Sequence, residues 1–94
     1  MSVLVLAESS NGKFKKSSFE VTSYGKKIAE QLDTNLVVLT INATENETLY
    51  KYGAEKVLNV SNDALTTFNA KIVANIVKQA AKKENATVII IDSN

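Results

Sequence analysis

Two polar clusters hold most of the side chains in this sequence that could do chemistry. One is "ESSNG", with Glu8, Ser9, Ser10 and Asn11 ahead of Gly12; the other is "DSN", Asp92, Ser93 and Asn94. Each follows a short apolar run, and in open α/β sheets ligands bind outside the carboxyl ends of the strands. Glu8 and Asp92 are a potential carboxylate pair, and the hydroxyls and amides between them could hydrogen-bond a nucleotide or a loop of another protein. As a catalytic pair the two acids lack an adjacent nucleophile and any signal of a raised pKa. The chain has no histidine and no cysteine. That removes thiol chemistry, disulfides, Cys/His zinc sites, Ser-His-Asp triads and imidazole catalysis together. The ordinary reading of such loops is that they are polar because water covers them.

Phosphate-binding motifs are missing as well. Gly12-Lys13 lacks the earlier glycine and the following Ser/Thr of a Walker A loop, and Gly12, Gly25 and Gly53 are too dispersed for G-x-G-x-x-G. A receiver-type cation site needs clustered acids after the first strand, where only Glu8 stands. A flavodoxin-type loop needs a run of Ser, Thr and Gly that "ESSNGK" approximates poorly. Lys13, Lys15 and Lys16 form a basic run whose simplest reading is a solvated segment and whose functional reading is a contact for an acidic partner. Tyr50 and Tyr52 lie two apart and point to different sides, which predicts one in the core and one at its rim.

The bulk numbers agree with a small soluble domain. Eleven basic against ten acidic residues give a net charge of +1, too little to draw a polyanion, so nucleic acid is not an expected ligand. No apolar run approaches the ~20 residues of a membrane span. The amino terminus "MSVLVLAESSNGK" has no basic region of the signal-peptide kind. A cytoplasmic protein without membrane insertion is the expectation.

The elements that must position the clusters follow from periodicity. "SVLVLA", 2–7, is apolar without alternation, as in a strand covered on both faces. The Ser17/Glu20 spacing predicts a capping box at the start of a helix. Over 19–32, Val21, Tyr24, Ile28 and Leu32 recur near helical spacing and predict the buried face. Gly25 inside this helix costs about 1 kcal/mol relative to alanine, so a close approach of helix to sheet is expected there. Asp33 to Asn35 should end the helix.

"LVVLTI", 36–41, is a second buried strand. Thr44 and Glu47 repeat the capping-box spacing ahead of a short helix over 45–52, and Gly53 suits the left-handed residue just past its end. "KVLNV", 56–60, is a shorter and more polar third strand, expected at or near a sheet edge. "SNDALTTFNAK" leads into a last helix whose stripe is Ile72, Val73, Ile76, Val77, Ala80 and Ala81, with Lys78, Lys82 and Lys83 suiting its negative carboxyl end. "TVIII", 87–91, is the fourth strand.

Strands separated by helices pair in parallel through right-handed crossovers. The fold class is therefore α/β: a three-layer α/β/α sandwich with a mainly parallel sheet. With the first strand central, the chain reverses between the third and fourth strands and brings both polar clusters to one switch point. The residues singled out as a binding site are Glu8, Ser9, Asn11, Asp92 and Ser93. A strand as apolar as "VIII" is rarely left at an open edge. A further strand, a partner chain or a second copy should flank it, and self-association through that edge is expected.

Over its whole length the sequence resembles the amino-terminal domain of the electron transfer flavoprotein alpha subunit. "SVLVLAESSNGKFKKSSFEVTSYGKKIAEQL" is similar to the family's strand ending in Ala-Glu, polar loop and glycine-bearing helix. "YKYGAEKVLNV" is similar to its Gly-Ala-acid-base-Val element before the third strand, and "VIIIDSN" to a strand after which the family continues into a Gly-containing loop.

The resemblance implies a Rossmann-like, adenine nucleotide alpha hydrolase-like fold. It also implies a heterodimer with a beta subunit that uses FAD to carry electrons from dehydrogenases to a membrane quinone oxidoreductase or, in some bacteria, other acceptors. FAD is held mainly by a carboxyl-terminal domain absent from these 94 residues, so no cofactor and no catalytic residue is expected here. On this reading, residues 1–94 are a single incomplete domain, a scaffold packed against the beta subunit. The alternative from another class is an adenine-nucleotide-binding domain of the universal-stress-protein type, which shares the α/β order but has a glycine-rich loop lacking here.

Overall fold

The computed structural model describes residues 1–10, 12–61 and 70–91. The first strand, β1 (Ser2–Leu6), is buried at every position. Alternate side chains of a strand point to opposite faces, so a run without a polar face needs cover on both sides, and the rest of the chain supplies it.

After β1 come two short strands, β2 (Ser9–Ser10) and β3 (Lys13–Phe14), then helix α1 (Lys16–Gln31), strand β4 (Asn35–Ile41), a 3-10 helix (Asn46–Tyr52), strand β5 (Lys56–Val60), helix α2 (Ala70–Lys83) and strand β6 (Ala86–Ile91). Four strands form one sheet in the order β5-β4-β1-β6, and all neighbours are parallel. The expected central first strand and the reversal between the third and fourth long strands are both present.

Val3, Val5, Leu36 and Val38 pack on the α1 side with Ala29, while Leu4, Leu6, Val37 and Leu39 pack on the α2 side with Val77 and Ala80. The sheet thus separates two apolar layers, which is the three-layer α/β/α sandwich expected.

The face that α1 buries differs from the expected one. Its fully buried residues are Ser18, Thr22, Gly25 and Ala29, whereas Tyr24 is 56% and Leu32 43% exposed. Val21 and Ile28 are half-buried at the flank. Small side chains at this spacing make a flat stripe that lets the helix axis come down on the β-branched surface of the sheet. A Cβ at Gly25 would lie 2.5 Å from Val5 Cγ2 and 3.0 Å from Leu36 Cδ1. The close approach anticipated for this glycine is there, and it is what turns Tyr24 out of the core.

The capping boxes are not formed. The N-cap of α1 is Lys15, with no side-chain cap, so Ser17 already lies in the first turn. A different device fixes the entry: Phe14, just before the cap, meets Phe19 edge-on at 5.9 Å between ring centroids, the N′-to-N4 contact of a hydrophobic staple. The 3-10 helix is likewise entered without a side-chain cap, at Glu45. Thr44 instead turns its hydroxyl to the Gly12 carbonyl. Tyr50 and Tyr52 are 50% and 39% exposed, so neither is a core residue; the buried one is Leu49.

The turns behave as their residue types suggest. Asp33 and Asn85 follow the two helices in left-handed conformation at φ 52 and 55°, and Gly53 ends the 3-10 helix at φ 111°. Lys82 and Lys83 occupy the last turn of α2, whose stripe meets the sheet through Val73, Ile76, Val77, Ala80 and Ala81. Ile72 stays 42% exposed. The lead-in "NDALTTFN", 62–69, lies outside the described residues.

β5 is an edge strand, as its polarity suggested, and its Lys56 pairs with Glu84 at 2.9 Å. β6 forms the other edge among the described residues. It leaves Ile89 and Ile91 46% and 51% exposed.

Gly25→Ala sets about 1 kcal/mol of gained helix propensity against overpacking of about 1–3 kcal/mol. With Val5 and Leu36 both locked in the core, overpacking should win. The urea midpoint of the variant is expected to fall; a midpoint at or above the parent's would show that the sheet yields freely.

Candidate functional site

The switch point lies where β1 and β6 run out side by side, with Leu6 opposite Ile91. Of the residues expected there, Asn11, Asp92, Ser93 and Asn94 lie outside the described residues. Glu8, Ser9 and Ser10 are described, and the chain carrying them turns toward β4.

That turn is built locally. Asn-Gly is the strongest short hairpin signal because such turns need positive φ, and Gly12 has φ 82°. Ser9 pairs with Phe14 and Ser10 with Lys13 in a two-stranded antiparallel hairpin.

Further bonds tie the hairpin down. The Ala7 N–H continues the ladder to the Leu39 carbonyl at 3.0 Å. The Ser9 hydroxyl donates to the Ile41 carbonyl at 3.1 Å. The Gly12 carbonyl accepts from both the N–H and the hydroxyl of Thr44, each at 3.0 Å. The Ser18 hydroxyl donates to the Glu8 carbonyl, joining the loop to the first turn of α1. Ser9 is therefore a tether within the chain. The half-buried Glu8 carboxylate enters no ion pair among the described residues.

A second polar group at the carboxyl end of the sheet went unread in the sequence. Thr40 is fully buried, and its hydroxyl lies 2.7 Å from Asn46 Oδ1 and 2.8 Å from Asn59 Oδ1. Asn46 Nδ2 donates to the Ala43 carbonyl, and the Ala43 N–H donates to Asn59 Oδ1, both at 3.1 Å. One hydroxyl has one proton, so it can donate to only one amide at a time. The signal was available: Thr40 interrupts "LVVLTI", Asn59 interrupts "KVLNV", and the two are register partners across β4 and β5. The cluster clamps the loop leaving β4.

What these groups can do chemically is hydrogen-bond. No group of three or more metal-ligating side chains gathers among the described residues. A glycine-rich cradle for pyrophosphate needs glycine backbone left open to it, and each of the three glycines has a side chain close by. A Cβ on Gly12 would meet Thr44 at 3.1 Å, one on Gly25 Val5 at 2.5 Å, and one on Gly53 Lys26 at 2.6 Å. None of the three glycines therefore forms an open glycine cradle for the diphosphate of a flavin or adenine dinucleotide.

A parallel sheet of order β5-β4-β1-β6 between helical layers is the core of a doubly wound, Rossmann-like α/β domain. This chain belongs to the electron transfer flavoprotein family: the electron transfer flavoprotein domain matches residues 3–94. It is 36% identical over 84 residues to the electron transfer flavoprotein subunit alpha of Clostridium acetobutylicum, an alignment covering 82% of this chain and 25% of that protein. The chain thus spans about a quarter of the relative's length. No helix among the described residues is long and apolar enough to cross a membrane.

Thr40→Val keeps the volume of the side chain and removes the shared proton. Because only one of the two bonds exists at a time, the loss should match a single hydrogen bond, about 1 kcal/mol, read as a lowered urea midpoint. A loss of twice that or more would mean that Asn46 and Asn59 both depend on the hydroxyl.

Proposed function

We propose that this chain is the amino-terminal α/β domain of an electron transfer flavoprotein alpha subunit, a scaffold that contacts the beta subunit and carries no catalytic group. The observation that carries this reading is the use of the polar groups at the carboxyl end of the sheet. Ser9, Ser18, Thr40 and Thr44 all bond within the chain, and the glycines are packed against side chains, which suits a packing surface. Similarity to an alpha subunit of which the alignment covers a quarter supports placing the flavin on another part of the intact protein. There FAD would pass electrons from dehydrogenases to a quinone oxidoreductase or another acceptor, in the cytoplasm.

Titration of the 94-residue chain with FAD, followed by flavin absorption and fluorescence, should leave the spectrum of free flavin. Saturable binding of FAD would overturn the reading. Tight binding of ATP in calorimetry would instead favour the adenine-nucleotide module.

The β6 edge adds a second surface. β6 has no charged residue or proline to discourage pairing, and we propose that it self-associates. Light scattering over a concentration series should show a mass rising above the monomer; a strict monomer at high concentration would count against it.

A further inference from the structure

An aromatic row runs from the hairpin across the first turns of α1 to the 3-10 helix, with Phe14 and Phe19 partly buried against the core. Phe14 meets Phe19 edge-on, and Phe19 stacks on Tyr52 with centroids 4.7 Å apart and planes 20° apart. Beside this row an open groove of about 400 Å³ runs along the helix, lined by Lys16, Phe19, Glu20, Tyr24, Lys27 and Tyr52 among others. Lys16 and Lys27 fall on one line of the helix about 16 Å apart along its axis, with Glu20 between them.

The face is net basic, with Glu20 the one acid lining the groove. Lys13, Lys15, Lys16 and Lys27 are exposed, and no acid occupies the first turn of α1. The ion pair Lys56–Glu84 lies elsewhere, between the β5 edge and the end of α2. An uncharged occupant would leave unused the excess of lysines over Glu20, whereas a partner carrying carboxylates complements it. A small anion would leave the aromatic rings uncovered. A small-molecule site encloses most of its ligand, whereas this groove is open along its length.

We infer that this face of α1 docks a segment of the partner subunit in which an apolar side chain, seated between Tyr24 and the Phe19–Tyr52 stack, is flanked by carboxylates that meet Lys16 and Lys27. The inference rests on the proposed pairing with a beta subunit and names the surface used.

The test measures binding of the 94-residue chain to the purified beta subunit of the same organism. Tyr24→Ser and the double reversal Lys16→Glu/Lys27→Glu each change exposed positions, and circular dichroism confirms that they fold. Each should weaken binding by about tenfold or more. Raising salt should weaken the parent far more than the double variant. Ile89→Lys, on the β6 edge, should leave affinity unchanged. Parent-like affinity of the α1 variants, with or without a loss in Ile89→Lys, overturns the assignment while leaving the pairing intact. Failure of the unmodified chain to bind overturns the pairing and this surface together.

Discussion

Everything in this domain is arranged around a strand that has no polar face. β1 is buried throughout, so it takes a strand on each side and a helical layer above and below. The residues that cover it are chosen by distance as much as by hydrophobicity. On one face the sheet is nearly all β-branched or leucine, and α1 comes down with Ser18, Thr22, Gly25 and Ala29. Thr22 can sit there because its hydroxyl donates to the Ser18 carbonyl one turn back, at 2.7 Å. A helix seated this low throws its larger side chains sideways and outward, so the packing of the core determines the surface.

The carboxyl end of the sheet shows the same economy with polar groups. Among the described residues every buried side-chain nitrogen and oxygen has a hydrogen-bond partner, and at this end the partners are largely other parts of the chain. The hairpin after β1 leans over β4, and the loop after β4 is held by Thr40, Asn46 and Asn59. In doubly wound domains that bind nucleotides, these same loops present free amides to phosphate. Here, among the described residues, the Ala7 and Thr44 N–H groups and the Ile41 and Gly12 carbonyls bond within the chain.

Much of this was legible in the sequence. The unbroken apolar runs 2–7 and 36–41 named the inner strands, the polarity of 56–60 named an edge, and Gly25 announced the helix-to-sheet approach. Counting hydrophobic residues does not weigh how close two elements come. Tyr24 and Leu32 fit the helical period but are too large for the contact that Gly25 permits, and a small-residue stripe leaves no hydrophobic signal. Parity in the sequence separates Tyr50 from Tyr52, yet the 3-10 geometry puts Leu49 inward and leaves both tyrosines exposed. The capping boxes were correct spacings in the wrong frame, since the Phe14–Phe19 staple starts the helix at Lys16. Of the candidate site, Glu8 and Ser9 follow the carboxyl end of β1, and nothing in their types tells that Ser9 bonds to β4.

The pairing of β1 with β6 joins Ser2 to Ala86, the first and last elements of the sheet in the chain. During synthesis, at roughly 5–20 residues per second, β1 emerges on the order of ten seconds before its neighbour β6. For that interval β1, an inner strand of the described sheet, is an edge strand carrying Val3, Leu4 and Val5 with one side of its backbone unpaired. The nascent chain is then most exposed to wrong pairing, and its protection depends on how soon α1 and β4 close over the other side.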